Sequence, residues 1–385
     1  MPPRTLLITN DFPPRRGGIE TFCYEVARRM PGAESGGLVV YTSCTEGLEE
    51  AERDFDRRQP FPVVRDSSHM LLPTRRVAHR AAGLLERYGC ERVLIGSAAP
   101  LGLLAGGLRD AGAQRIIAMS HGHEVWWARV PGARLALRRI GEKVDVLTYL
   151  GDFTRDEIGR ALRPADRDRM ARLTPGVDPG AFTANGDGTP VRERYGLGDG
   201  PVILCASRLV PRKGVDTLIR AMTWVRTTLP DARLVVVGQG PDEKRLRELA
   251  AWTGVSEHVV FAGGHGHNDM PSFYAAANVF AMPCRTRKAG LEAEGLGIVY
   301  LEAAASGLPV LVGSSGGAPD TVRHGETGFV VNGREPRSVA SKLQRLLIAP
   351  DQAQAMGQRG REWVLKEWTW DLSAQRLEEL FSAGR

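Results

Sequence analysis

The feature that most limits this chain is a pattern it runs through twice: a short apolar run, a loop carrying turn formers or glycine, and a stretch with helical periodicity. The first pass has apolar runs at 5–9, 38–43, 62–65, 92–96, 115–119 and 144–149; the second has them at 202–206, 234–237, 259–261, 279–282, 310–312 and 329–331. Runs this short, spaced far enough apart for a helix to cross over between them, read as buried strands of a parallel sheet. Between the passes, Thr183-Ala184-Asn185-Gly186-Asp187-Gly188-Thr189-Pro190 is rich in turn formers and poor in core residues, so it reads as a linker. The expected fold class is α/β, with two doubly wound parallel-sheet domains at 1–185 and 186–370. Three tryptophans, Trp363, Trp368 and Trp370, surround Glu367, where a helix is expected to break so that residues 371–385 cross back to the first domain. A length of 385 residues suits two cores better than one.

Composition excludes several classes. With 42% hydrophobic and 25% charged residues the chain is globular, and no apolar run reaches the ~18 residues of a membrane span. The start, Met1-Pro2-Pro3-Arg4, lacks the apolar core of a signal peptide, which leads to an expected cytoplasmic location. Cys23, Cys44, Cys90, Cys205 and Cys284 are scattered and form no C-x-x-C pair, so neither a disulfide framework nor a zinc site is indicated. The net charge of +6 comes from interspersed residues rather than a basic tail, and no nucleic-acid module is present. Two local basic clusters stand out. Arg75, Arg76, His79, Arg80 and Arg87 fall in one predicted helix, and Arg129, Arg134, Arg138, Arg139 and Lys143 follow Trp126-Trp127. A basic, apolar-backed helix suits an anionic membrane surface, although a solvated helix face explains either cluster taken alone.

The chemistry-bearing residues cluster where strands end. Glu294-Gly295-Leu296-Gly297-Ile298-Val299-Tyr300-Leu301-Glu302 follows the strand at 279–282 and opens a helix. Glu294 then lies in the lead-in loop and Glu302 projects from the helix on nearly the same side, so two acids can grip two parts of one polyol. The free N–H groups at that helix start favour an anion, and Gly297 allows close backbone approach. Ser207-Arg208-Leu209-Val210-Pro211-Arg212-Lys213-Gly214 places three cations before a helix, where acids are ordinarily preferred; a bound pyrophosphate would reverse that preference.

Other strand ends carry weaker signals. Asn10-Asp11-Phe12-Pro13-Pro14-Arg15-Arg16-Gly17-Gly18-Ile19-Glu20 ends the first strand with paired glycines, and Ser120-His121-Gly122-His123-Glu124 ends the fifth. His121, His123 and Glu124 are too close in sequence to make a zinc site by themselves. Val237-Gly238-Gln239-Gly240 lacks the third glycine of a dinucleotide fingerprint. Phe261-Ala262-Gly263-Gly264-His265 leads to Asn268-Asp269, where a purine can lie against backbone with Asp269 accepting from its amino group; helix capping explains the same acid.

Taken together, Gly17-Gly18-Ile19, His121-Gly122-His123-Glu124, Ser207-Arg208-Leu209 with Lys213-Gly214, and Glu294-x7-Glu302 resemble the retaining glycosyltransferases of family 4, in order and over nearly the whole chain. Within that family the segments at 10–14, 207–214 and 294–302 are most similar to bacterial GDP-mannose-dependent phosphatidylinositol monomannoside mannosyltransferases. The resemblance implies the GT-B fold, two Rossmann-like domains facing a cleft, with the acceptor over the first and the nucleotide-sugar donor held by the second. It implies that Arg208 and Lys213 hold the donor diphosphate, that Gly297, Ile298 and Val299 offer backbone N–H groups to it, and that Gly18 touches its phosphate side. Glu302 is then assigned to the ribose, Glu294 to the hexose, and His121 reaches the hexose from the opposite wall. Implied partners are GDP-mannose and a phosphatidylinositol mannoside-type glycolipid at the inner face of the cell membrane. No tightly bound cofactor is implied, and no motif requires a divalent metal.

Two D-x-D matches, Asp54-Phe55-Asp56 and Asp166-Arg167-Asp168, lie in polar stretches away from strand ends and read as solvated helix or loop. One departure from the family pattern is Arg285-Thr286-Arg287-Lys288-Ala289-Gly290-Leu291-Glu292, where more glycine is expected around Lys288 and Ala289. It bears on the hexose and the acceptor rather than on the reaction type. The competing readings are a family 4 enzyme with another nucleotide sugar and a soluble acceptor, and a nucleotide-sugar isomerase or hydrolase on the same fold. The latter lacks a dedicated base beyond His121 and Glu124.

Overall fold

The computed structural model describes residues 3–15 and 17–383, which divide into two compact units: one runs to Gly176 and resumes at Trp370, and the other is Val177–Thr369. In the first, β1 (Arg4–Thr9), β2 (Leu38–Ser43), β3 (Val63–Asp66), β4 (Cys90–Ile95), β5 (Arg115–Ala118), β6 (Val146–Tyr149) and β7 (Ala171–Arg172) form a parallel sheet in the order β3-β2-β1-β4-β5-β6-β7. Leu6 pairs with Val39 on one side and Val93 on the other, and Leu6, Leu7 and Ile8 are fully buried. Their unbroken apolar run follows from helices covering both faces. The helix Arg75–Tyr88 shows how one face is covered. Thr74 Oγ1 accepts the Val77 N–H to start it, Gly89 in the left-handed region (φ 61°) stops it, and Val77, Ala81, Leu84 and Leu85 enter the core. Burying each of the two leucines contributes about 1.5–3 kcal/mol.

The second unit holds β8 (Val202–Ala206), β9 (Arg233–Val237), β10 (Val259–Gly263), β11 (Val279–Met282), β12 (Val310–Gly313) and β13 (Gly328–Val331), in the order β10-β9-β8-β11-β12-β13. The turn-rich stretch at 183–190 lies inside this unit rather than between the two. Val177 already pairs with Thr369, its N–H donating to Trp368 O at 2.8 Å, and Asp187 accepts the Thr189 N–H at 2.9 Å to start the helix Thr189–Arg194. The turn formers there build a helix start.

At the far end the chain bends at the buried Trp368, between the helices Pro350–Glu367 and Trp370–Ser382. The second of these belongs to the first unit, where Arg92 holds Glu378 with both contacts at 2.9 Å and Ser373 donates to Thr174 O at 2.8 Å. Among the described residues no helix is long and apolar enough to cross a membrane.

Each sheet reverses its winding once, between β1 and β4 and between β8 and β11. At such a point the loops leaving adjacent strands diverge and open a crevice at the carboxyl edge. The loops after β1, β8 and β11 carry the paired glycines, the Arg208–Lys213 cations and the Glu294 acid, while His121 follows β5 and Asp269 follows β10.

Candidate active site

The second unit places its acids and cations at the β8/β11 switch point. After β8 the chain makes a short turn, Pro211–Lys213, and Gly214 (φ 77°) starts the helix Val215–Thr228. A Cβ at Gly214 would lie 2.0 Å from Pro283 O, so the β8 and β11 loops touch backbone to backbone there. Arg285 joins them further: its N–H donates to Arg212 O at 2.8 Å, and its guanidinium donates to Asp216 Oδ2 at 2.8 Å and Thr217 Oγ1 at 2.9 Å. On this frame Lys213 Nζ stands 2.8 Å from Glu294 Oε2, with Arg212 Nε at 3.9 Å. The Lys213 contact is off line for a directed hydrogen bond, so charge links the pair, and Glu294 is buried at 7% exposure. Arg208 differs. It is exposed, and its guanidinium has no partner among the described residues.

The helix following the first acid runs Ile298–Ala305. Gly297 before it has φ 94°, and a Cβ there would fall 2.5 Å from the Tyr300 ring, so local structure itself demands glycine. The half-buried Ile298 and Val299 lie in the first turn, where N–H groups have no intrahelical acceptor. Glu302, 4% exposed, sits within the helix with Oε2 accepting from Tyr274 Oη at 2.8 Å and Oε1 3.7 Å from His267 Nδ1. Burial pushes its carboxyl pKa up, against the opposing effects of His267 and the Tyr274 hydrogen bond.

Gly263 ends β10 with φ 80° and open space where a Cβ would be. Asp269 is exposed, and its Oδ2 accepts the Gly266 N–H at 3.0 Å, as the capping reading expects, leaving Oδ1 without a partner among the described residues.

In the first unit His121 follows β5. Its Nε2 contacts Gly96 O, and since a carbonyl only accepts, Nε2 carries the proton. Burial lowers the ring's pKa, so the neutral imidazole presents Nδ1 as an acceptor. The His121 N–H donates to Glu124 Oε2 at 3.0 Å, and Glu124 Oε1 lies 3.2 Å from His123 Nε2. A Cβ at Gly17 would collide with the Glu20 carboxylate, whereas one at Gly18 would meet nothing. Protein packing therefore does not require glycine at 18.

Several supporting residues stand outside the motifs of the sequence. Ser315 Oγ accepts the Glu294 N–H at 3.3 Å, Gly317 donates to Glu294 O at 2.9 Å, and a Cβ at Gly316 (φ 56°) would lie 1.9 Å from that same oxygen. The loop Ser314-Ser315-Gly316-Gly317 after β12 thus clamps the backbone of Glu294. Its signal in the sequence is the double glycine Gly316-Gly317, just past the apolar run 310–312. Tyr300 donates to Met282 O at 2.7 Å beside Cys284 Sγ at 3.2 Å and pins the β11 loop, but the sequence presents it only as an apolar helix residue.

Three of the four D-x-D acids are occupied structurally, and the fourth, Asp168, is exposed. Asp54 pairs with Arg57 and Asp56 with Arg65. Asp166 is buried and paired with Arg169, so solvation does not describe it. In the divergent loop Lys288 (φ 49°) and Ala289 (φ 51°) both adopt the left-handed conformation that glycine takes without cost, which accounts for the glycine expected there. Glu292 holds the loop, 2.6 Å from Lys288 Nζ and 3.5 Å from Arg287.

The model of the glycosyltransferase family 4 matches residues 16–181, and that of the glycosyl transferases group 1 matches residues 190–363. A GDP-mannose-dependent alpha-(1-6)-phosphatidylinositol monomannoside mannosyltransferase of Mycobacterium tuberculosis is 46% identical over 377 residues, covering 98% of this chain and 97% of the relative. Its counterpart from Mycolicibacterium smegmatis is 47% identical over 381 residues, covering 99% and 98%. Anabaena HepE in complex with UDP superposes with a TM-score of 0.81 at 17% identity, covering 99% of this chain and 100% of that one, a likeness of fold alone. With acids and cations gathered on the β8/β11 switch-point loops of the second sheet and this identity along nearly its whole length, the chain is a glycosyltransferase of the GT-B fold and belongs to the family of those phosphatidylinositol monomannoside mannosyltransferases.

Proposed function

We propose that this enzyme transfers mannose from GDP-mannose, with retention of configuration, to a phosphatidylinositol mannoside-type glycolipid at the cytoplasmic face of the membrane. The observation that carries the reading is the convergence of Arg208, Lys213, Glu294 and the start of helix Ile298–Ala305 on the β8/β11 switch point, in a chain so similar to enzymes of that description. Cleavage of the bond from the anomeric carbon to the phosphate oxygen leaves GDP with additional negative charge. Fixed cations and helix N–H groups stabilise that charge more in the transition state than in the ground state. Arg208, without a partner among the described residues, and Lys213 are assigned to the diphosphate, with the Ile298 and Val299 N–H groups. Glu294 is assigned to the hexose hydroxyls and Glu302 to the ribose. The free Oδ1 of Asp269 and the backbone at Gly263 are assigned to guanine, whose N–H donors a carboxylate accepts. In the first unit, Gly17 and Gly18 offer backbone to phosphate, and Nδ1 of His121 accepts from a sugar hydroxyl. A donor phosphate oxygen takes the acceptor's proton as the hydroxyl attacks on the same face.

Mass spectrometry of products from GDP-mannose, GDP-glucose, UDP-glucose and UDP-galactose with mycobacterial lipid extract tests this. A hexose added to a phosphatidylinositol mannoside from GDP-mannose alone is expected. Transfer only to a water-soluble sugar or sugar phosphate would overturn the acceptor, and a preference for UDP-sugars the donor.

A glycolipid acceptor requires contact with a bilayer, and the first unit has a surface suited to it. Met70 and Leu72 are 61% and 47% exposed just before the helix Arg75–Tyr88, whose Arg75, His79 and Arg80 are exposed while its apolar face is spent on the core. Arg76 is exposed as well, but its charge is already paired, with two hydrogen bonds to Asp66 at 2.8 and 2.9 Å. In the second basic cluster Arg129 pairs with Glu157, and Arg134 and Arg138 donate to carbonyls of neighbouring segments. Each free cation adds about 1 kcal/mol of attraction to anionic lipid. The protein is expected to sediment with phosphatidylinositol vesicles at low salt and to be released as salt rises. Arg75→Gln with Arg80→Gln should cut that binding and leave GDP affinity unchanged. Vesicle binding insensitive to salt and to both substitutions would remove this surface from the reading.

A further inference from the structure

Glu302 is a carboxylate held almost entirely inside the protein, and what fixes it there bears on the ribose it is proposed to bind. Tyr274 is fully buried, its ring edge-on to Phe182 at 5.7 Å and tilted against Phe280 at 5.8 Å, so the phenol cannot swing away. Its one proton has two acceptors in reach, Glu302 Oε2 at 2.8 Å and Val299 O at 3.2 Å. The shorter contact to the charged oxygen takes it. His267 stands 3.7 Å from Oε1, too long for a hydrogen bond, with its ring edge-on to Phe182 at 5.3 Å. An ionised carboxylate offers about four acceptor sites on its two oxygens. Tyr274 occupies one on Oε2, and Oε1 is left open beside a half-exposed imidazole.

We infer that Tyr274 is a positioning residue for the sugar of the donor nucleotide: by locking the rotation of the Glu302 carboxylate it aims Oε1 at one ribose hydroxyl, so that the enzyme discriminates ribonucleoside from deoxyribonucleoside diphosphates. The inference rests on the proposed role of Glu302 and adds the residue that makes its contact directional. Without the phenol the carboxylate rotates between orientations, and a hydroxyl gained in one is lost in another. The hydrogen bond that distinguishes the two sugars then weakens, while diphosphate and base contacts elsewhere are untouched.

Calorimetric dissociation constants of the intact protein for GDP, 2′-deoxy-GDP and 3′-deoxy-GDP separate the possibilities. A hydrogen bond to a charged group corresponds to roughly a tenfold to hundredfold preference, so the parent protein should bind one deoxy analogue at least tenfold more weakly than GDP. Tyr274→Phe, which keeps the ring and its packing, should bring that ratio to within about threefold, with circular dichroism confirming an unchanged fold. A ratio that Tyr274→Phe leaves intact, or an equal loss for all three nucleotides, overturns the positioning role. Failure of the underlying assignment looks different: the parent protein shows no preference for GDP over either analogue, or Glu302→Gln retains the preference in full. If Tyr274→Phe does not fold, Tyr274→His, whose shorter ring draws the donor back from Glu302, serves instead. A ratio within about threefold supports the inference, and one close to the parent's overturns it.

Discussion

Replacing Arg208 with alanine is expected to lower kcat roughly 10²- to 10³-fold, the loss that follows removal of one fixed donor to a developing negative charge. Thermal unfolding should not change, because the guanidinium is exposed and contacts nothing else described in the protein. Lys213→Ala should lower turnover to a similar degree but carry a second cost. Its ammonium lies 2.8 Å from the buried Glu294 carboxylate, and among the described residues Arg212 at 3.9 Å is the one remaining cation beside it. Removing one partner of a buried ion pair costs up to about 3–5 kcal/mol, so Lys213→Ala should unfold at a lower temperature than both the parent and Arg208→Ala. Steady-state kinetics with GDP-mannose and a phosphatidylinositol mannoside, together with calorimetric unfolding, measure both effects. Near-normal kcat in both variants would remove these cations from the diphosphate site. Equal destabilisation of the two would make Arg208 a structural residue.

The contrast between these two cations also marks where the sequence stops being readable. Strands such as β1, β8 and β11 were legible because residues buried on both faces leave continuous apolar runs, and their helices because amphipathic periodicity survives in residues such as Val77, Ala81, Leu84 and Leu85. β7 escaped notice, since two residues, Ala171 and Arg172, carry no period. The strand orders, and with them the switch points that gather the Arg208, Lys213 and Glu294 loops, depend on long-range pairing such as Val279 with Ile203 and have no local signature. The cations were legible as charges out of place at a helix start, and the acids as a pair spaced across one. Their partners were not. That Lys213 spends its charge on Glu294, that Arg76 is tied to Asp66 rather than free for lipid, and that Tyr274 rather than any charged group holds Glu302 are all contacts across the chain. The turn formers at 183–190 looked like a linker because a helix start and a linker use the same residues; the pairing of Val177 with Thr369 decides between them.

Glu294→Gln and Glu302→Gln are expected to fail in opposite ways. Glu294 is assigned to hydroxyls of the hexose, so its amide variant should lose transfer, with kcat/KM down about a hundredfold if one to two hydrogen bonds to a charged group are weakened. GDP lacks the hexose and should bind Glu294→Gln at least as tightly as the parent. The carboxylate now 2.8 Å from Lys213 competes with the diphosphate for that ammonium, and its neutralisation raises the positive potential the phosphates meet. Glu302 lies away from that ammonium, against Tyr274 and His267, and is assigned to the ribose. Glu302→Gln should therefore weaken GDP itself roughly tenfold to a hundredfold, whatever sugar the donor carries. Titration calorimetry with GDP and UDP on the parent and both variants reads all of this at once. Parallel loss of GDP affinity in the two variants would mean that the acids share one task, and tighter binding of UDP than GDP would transfer the donor to the uridine series while leaving the division of labour between the acids intact.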